Sequence, residues 1–318
     1  MRKGYAVGLA LVWMTIVQAE GVLAEAPCAT DPHKLGVSRV ATIDATAGPR
    51  FGVQYRDASF LNDGEVVLTF DDGPSRAYTR PILDALAAHC TKATFFMVGR
   101  MALADPAMVK EVAEQGHTIA THTWSHANLH AAGPRAESEI EMGISAVRYA
   151  LGSPIAPFFR FPYLRDTGGA LHHLAGRHVA TFSIDVDSKD FLTTNPASVV
   201  ERVLRELANR RKGIILLHDI HASTARAMPT LLAELKARRY KVVHIRAKTD
   251  VQTVAEYDAQ AAQQADRRRV ANVRTPLAKR TITWPTTVMA PTQAERAPPR
   301  APQRAREDND WIAKILRW

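Results

Sequence analysis

Cysteine is nearly absent from this 318-residue chain, which has only Cys28 and Cys90. That count excludes a disulfide-dense scaffold and leaves room for one bridge. Long hydrophobic runs are also scarce. The apolar stretch at residues 6–17 is too short and too early for a spanning helix, and no other segment is long enough to cross a membrane. No internal repeat is evident, which argues against a solenoid. Aromatic residues make up 7% of the chain, and the basic C-terminal segment does not interleave them with its charges. A nucleic-acid partner is therefore not expected.

The N-terminus carries the parts of an export signal. Arg2 and Lys3 supply the charge, residues 6–17 the apolar core, and Val22-Leu23-Ala24 a small-residue cleavage site. Residues 1–24 are expected to be a signal peptide, and the protein to be exported to the periplasm or secreted. An uncleaved N-terminal anchor is the alternative. In an exported protein the even cysteine count predicts a Cys28–Cys90 disulfide.

Residues 25–62 read as an N-terminal extension, 63–250 as one domain, and 251–318 as a basic, Pro/Arg-rich, mostly disordered tail. Residues 265–318 hold 12 Lys/Arg against 5 Asp/Glu, so +7 of the formal +9 resides there. Such a composition cannot bury a core, and contact with a cell wall or another anionic surface is expected of it. Residues 308–318 could form one short amphipathic helix.

Between the ends, helix and strand signals alternate. Residues 81–88 place Ile82, Leu83 and Leu86 on one helical face, with Pro81 early in the helix. Residues 93–97 read as a buried strand, 137–151 as a helix stopped by Gly152, and Asn195-Pro196 opens a helix over 197–209. Residues 223–238 are helical and 241–244 a last strand. The alternation predicts an α/β barrel with parallel strands.

Five polar clusters follow strand-like runs. Asp71 and Asp72 come after Glu65-Val66-Val67-Leu68 and before a Gly73-Pro74 turn. Adjacent carboxylates repel unless a cation neutralises one, and a metal would leave the other free to act as a base. His122 and His126 have the i, i+4 spacing that puts two imidazoles on one helical face. With Asp72 they would make a two-histidine, one-carboxylate set with open positions for water and substrate. Arg160 sits among apolar residues in Phe158-Phe159-Arg160-Phe161-Pro162-Tyr163 and needs an anionic partner, for which Asp71 is the candidate. Asp185, Asp187 and Asp190 crowd the end of another apolar run, the first two as candidate helix caps. His218-Asp219 ends the run Gly213-Ile214-Ile215-Leu216-Leu217. In barrels of alternating strands and helices, chemistry collects at the carboxyl ends of the strands.

In order and spacing, these clusters resemble those of the polysaccharide deacetylases, the family-four carbohydrate esterases with a nodulation-type deacetylase domain. The resemblance covers roughly residues 63–246. It implies an irregular (β/α)7-type barrel and a divalent metal, zinc first, with cobalt, manganese or nickel as alternatives. It implies that Asp72, His122 and His126 bind the metal and that Asp71 is the base, held by Arg160. The Tyr163 backbone N–H would help bind the oxyanion, and His218 would be the acid, tuned by Asp190. The implied substrate is an N-acetylated glycan. An O-acetyl xylan esterase and a non-catalytic glycan-binding protein are the alternatives. The chain departs from the family in having Phe191 and Ile184 where tryptophan is frequent, both expected to line the substrate groove.

Overall fold

The computed structural model describes residues 34–55 and 60–274. The expected signal peptide, Cys28, and everything assigned to residues 275–318, including the 308–318 helix, lie outside the described residues.

The strands are β1 (Arg39–Ile43), β2 (Arg50–Phe51), β3 (Glu65–Asp71), β4 (Thr94–Met97), β5 (Thr118–Thr121), β6 (Phe158–Phe159), β7 (Ala180–Phe182), β8 (Val186–Asp187), β9 (Gly213–His218) and β10 (Lys241–Ala247). The helices are α1 (Arg76–Ala88), α2 (Gly99–Ala104), α3 (Pro106–Glu114), α4 (Leu129–Ala132), α5 (Ala136–Leu151), α6 (Gly168–Gly176), α7 (Pro196–Arg210), α8 (Ala222–Ala237) and α9 (Ala255–Arg274). Every strand pairing is parallel, as βαβ crossovers require.

β8, β9, β3, β4, β5, β6 and β7 follow one another around an irregular barrel wall, and β2 adds to β7. β9 lies on one edge of β3. The other edge is shared by β10, which pairs at Glu65–Val66, and β4, which pairs at Thr69–Asp71. Two apolar clusters result. The inner one joins Val67, Phe96, Ala120, Phe158, Phe182 and Ile214 with Ile43, Val243 and Ile245, so β1 and β10 add to the barrel interior. The outer one packs the helices on the strands. β3 is buried along its whole length, which is why it reads as a continuous apolar run rather than an alternating one.

The expected elements form, with shifted ends. α1 starts at Arg76, so Pro81 lies inside the helix rather than in its first turn. A turn around Ser75 starts the helix early. The Tyr78 and Thr79 N–H groups donate to the Ser75 carbonyl, and the Ser75 N–H donates to Thr79 Oγ1. Asn195 caps α7 through the Ala197 N–H at 3.0 Å, and Gly152 closes α5 in the left-handed region. Cys90, at the end of α1, is disulfide-bonded rather than a free thiol.

Mostly disordered chain is expected from residue 251, and within it α9 runs from Ala255 to Arg274 and packs on α5. Val251 and Ala261 are buried, and Tyr257 and Ala265 lie against the core. The Val251 N–H donates to the Ile155 carbonyl at 3.1 Å, and Arg177 Nη2 to the Gln252 carbonyl at 2.6 Å. The apolar residues are few and widely spaced, so the sequence pattern concealed the helix.

Ending the chain at Asp250 instead of Arg274 should uncover the α5 face that α9 covers. The melting temperature is expected to drop by about 5–10 °C. Thermal unfolding of the two chains side by side checks this, and equal values would mean that α9 adds no stability.

Candidate active site

The β3–β9 register sets Asp71 beside His218, and the β4–β5 pairing brings Thr121 level with Met97, so the five clusters meet at the carboxyl end of the barrel. Asp71 ends β3, and Asp72 turns away from it at φ 81. Gly73 follows because nothing larger fits: a Cβ there would lie 2.0 Å from Asp219 Oδ2. Asp219 holds this turn in place. It accepts the Gly73 N–H at 2.9 Å and the Thr79 hydroxyl at 2.6 Å, tying the two aspartates to the start of α1. Burial, with the Asp72 charge adding to it, pushes the Asp219 carboxyl up to about 7. In the sequence Asp219 stands out only as the neighbour of His218. Its role depends on Gly73 and Thr79, both more than a hundred residues away.

His122 and His126 do meet Asp72, but not from a helix. They stand on an irregular turn after β5, with Thr123 and His126 both at positive φ. The His126 N–H donates to Thr123 Oγ1 at 3.0 Å. The expected helical face is therefore replaced by a turn that folds back on itself. His122 Nδ1 lies 2.7 Å from the Arg160 carbonyl oxygen, which can only accept. Nδ1 therefore carries the proton, and the Nε2 lone pair faces Asp72. Burial pushes the His122 imidazole down to about 4, against the pull of Asp71 and Asp72, so it is neutral at neutral pH.

Asp72 Oδ1 lies 3.4 Å from His122 Nε2 and 3.2 Å from His126 Nε2. It is buried and accepts no hydrogen bond in good geometry. Burial opposes charge on Asp72, but His126, with His218 beyond it, holds its carboxyl below the usual carboxylate range. A buried anionic oxygen without a donor is costly unless a cation meets it. The ligand atoms of the three residues lie within 4.8 Å of one another, so this donor set fits a divalent metal.

Arg160 has no exposed surface, and each of its side-chain nitrogens is bonded. Nη1 donates to Asp71 Oδ1 at 2.7 Å and to Thr69 Oγ1 at 2.8 Å, Nε to the Phe182 carbonyl and Nη2 to the Ser183 carbonyl. Its guanidinium also lies 4.2 Å from the Phe96 ring centre. Asp71 Oδ1 is thereby fixed, while Oδ2 faces His122 Nε2 at 3.8 Å.

Across the site, Asp190 is buried and grips His218 twice, through the backbone N–H at 2.8 Å and through Nδ1 at 2.7 Å. Burial disfavours the charged imidazole, yet Asp190, with Asp72 and Asp71 beyond it, pushes His218 up to about 10. The other two acids of this cluster cap no helix. Asp185 accepts the Ile214 N–H and Asp187 the Lys189 N–H.

Tyr163 stands at φ 58 with its side chain 49% exposed and its ring 4.7 Å from the His126 ring. Phe191 is 52% exposed and meets the His218 ring edge-on, where a groove wall was expected. Ile184 is buried and does not line the groove, because the segment after β2 crosses over it and the Val53 N–H donates to its carbonyl.

Replacing His122 by alanine is expected to weaken zinc binding by at least about a hundredfold, since one of three ligands and its fixed tautomer are lost together. Titration calorimetry of the metal-free protein reads this directly. Wild-type affinity in the variant would remove His122 from the ligand set.

Comparison with known proteins gives one consistent family. The family model described as polysaccharide deacetylase matches residues 60–175. A peptidoglycan-N-acetylglucosamine deacetylase of Listeria monocytogenes is 31% identical over 228 residues, covering 69% of this chain and 47% of that protein. The chain thus spans about half the length of that relative. A chitooligosaccharide deacetylase of Sinorhizobium fredii is 36% identical over 155 residues, covering 48% of this chain and 71% of the relative. Among solved structures, a peptidoglycan deacetylase of Bdellovibrio bacteriovorus superposes with a TM-score of 0.59 at 31% identity, covering 69% of this chain and 61% of that one.

Proposed function

The chain belongs to the polysaccharide deacetylase family, and on that premise we propose that it is a metal-dependent hydrolase of N-acetyl groups on amino-sugar polymers, of the chitooligosaccharide or peptidoglycan type. One observation carries the reading. A fully buried arginine fixes one carboxylate beside a second, unsatisfied carboxylate that two histidines also face.

Asp72, His122 and His126 would hold the metal, and two imidazoles with one carboxylate suit zinc, with cobalt, manganese or nickel as weaker fits. When bound, such a cation polarises an acyl oxygen and makes water more acidic. Asp71 accepts the proton of the attacking water. Arg160 holds Oδ1, so that Oδ2 is the oxygen left to take the proton. The Tyr163 backbone N–H stabilises the oxyanion of the tetrahedral intermediate. His218 starts protonated and gives its Nε2 proton to the departing amine, while Asp190 holds Nδ1–H.

An amine leaves poorly unless protonated. An acid held by Asp190 beside the leaving group therefore suits an amide, which needs that proton more than the ester of an acetylated xylan does. The paired His218 and Asp190 would be idle in a protein that only binds glycan. Export, on the strength of residues 1–24, is part of the same proposal, and so is contact of the basic C-terminal segment with an anionic cell-wall surface.

The direct test is acetate release from chitooligosaccharides, peptidoglycan and acetylated xylan with zinc restored to metal-free protein. Release from the first two is expected, and release from xylan alone would reverse the choice of substrate. Asp71→Asn is expected to keep its zinc and to lose about a hundred- to ten-thousandfold in turnover. Loss of zinc instead would exchange the roles of Asp71 and Asp72.

The pH profile supplies another check. His218 acts as an acid, so activity should fall as pH rises through its pKa. Asp190 raises that pKa and a bound cation lowers it. Asp190→Asn should therefore move the alkaline limb of kcat/KM to lower pH. An unmoved limb would separate it from His218.

A further inference from the structure

The segment after β2 does more than cover Ile184. β2 pairs with β7, and Gly52 follows at φ +99, where a Cβ would lie 2.7 Å from the Ser183 carbonyl carbon. Only glycine lets the extension lie this close to the end of β7. Gln54 and Tyr55 are thereby carried to Asp166. Gln54 Nε2 and the Tyr55 hydroxyl both donate to Asp166 Oδ2, at 2.8 and 2.9 Å, and Gln54 Oε1 accepts from Ser183.

Two donors on Oδ2 fix the carboxylate and leave Oδ1 free: among the described residues it accepts no hydrogen bond. A cavity of about 270 Å³ opens there, lined by Gln54, His130, Leu164, Arg165 and Asp166. Arg165 and the His130 ring likewise have no protein partner among the described residues. The cavity adjoins the active site through the chain itself. Leu164, Arg165 and Asp166 directly follow Tyr163, whose ring packs on His126, and His130 lies four residues beyond His126.

We propose that this cavity is a sugar subsite in which Asp166 Oδ1 and Arg165 grasp adjacent hydroxyls of a neutral pyranose flanking the residue that is deacetylated. The chemistry selects that ligand. One fixed carboxylate oxygen is an acceptor for a hydroxyl, a guanidinium is a donor to its neighbour, and Leu164 offers an apolar surface to the ring carbons. A carboxylate or phosphate placed at Oδ1 would be repelled by Asp166, whereas a hydroxyl can donate to it. The proposal rests on the glycan reading of the active site and deepens it, because part of the subsite comes from the extension rather than from the barrel.

The test compares the zinc-loaded wild type with Asp166→Asn and Arg165→Ala. Calorimetry measures the affinity of each for the disaccharide and the pentasaccharide of N-acetylglucosamine, and acetate release is assayed in parallel. Asp166→Asn keeps an oxygen for Gln54 and Tyr55 but can put an amide donor where the acceptor stood. The affinity gained on going from disaccharide to pentasaccharide is expected to shrink about fivefold to tenfold, and about threefold in Arg165→Ala. Arg165 is exposed and unpartnered, so its variant cannot act through misfolding. An undiminished gain in both variants, or a pentasaccharide that the wild type does not bind, overturns the subsite. If the wild type binds the pentasaccharide but releases no acetate while the variants lose the gain, the subsite stands and the hydrolase reading falls.

Discussion

A guanidinium with no access to water lies at the centre of this molecule. Burying Arg160 would cost several kcal/mol if its donors were unmet. They are met by Asp71 and Thr69 on β3 and by the carbonyls of Phe182 and Ser183 at the end of β7, so the side chain crosses the barrel interior and joins its walls. Its own backbone carbonyl accepts the hydrogen bond from His122 Nδ1–H. One residue therefore sets the orientation of Asp71 and the tautomer of a histidine that faces Asp72. The other features of the site depend on that bridge, because the carboxylate it holds would otherwise repel Asp72.

The site divides into two electrostatic halves. On one side, burial keeps His122 neutral, while His126 and His218 hold the Asp72 carboxyl low, protonation states that suit a bound cation. On the other, Asp190 overcomes burial and keeps His218 charged, the state an acid requires. Two histidines in one barrel mouth are thus driven in opposite directions, one by desolvation and the other by a carboxylate held against it. Such divergence is how a single pocket offers base and acid at the same pH. Asp219 serves neither half directly. It fixes the turn on which both aspartates stand and connects that turn to α1.

The segments outside the barrel contribute in different ways. α9 covers α5 with few apolar residues, and the turn before it is tied down by two hydrogen bonds at Val251 and Gln252, so this segment belongs to the stability of the domain. The extension before β3 adds a strand to β7 and ends beside the active-site rim, where Gln54 and Tyr55 orient Asp166. The same apposition that buries Ile184 brings those two side chains within reach of the rim.

The architecture and the identity of the central residues are legible in local pattern. Buried parallel strands read as unbroken apolar runs, and polar residues placed after each run mark the carboxyl rim, so Asp71, Asp72, His122, His126, Arg160, Asp190 and His218 could all be picked out from local pattern and family resemblance. How they meet follows from long-range packing. The i, i+4 histidines suggested a helix, but the turn is set by left-handed backbone at Thr123 and His126, which spacing does not encode. The start of α1 was hidden because its capping partner, Thr79, answers to Asp219 across the fold. α9 was hidden because its stability comes from a surface on α5 and not from its own periodicity. Ile184 was misread as a groove residue because its cover arrives from more than a hundred residues away. Local pattern records which groups a chain owns. Long-range packing decides which of them share a cavity, since burial and charge act through distance in space.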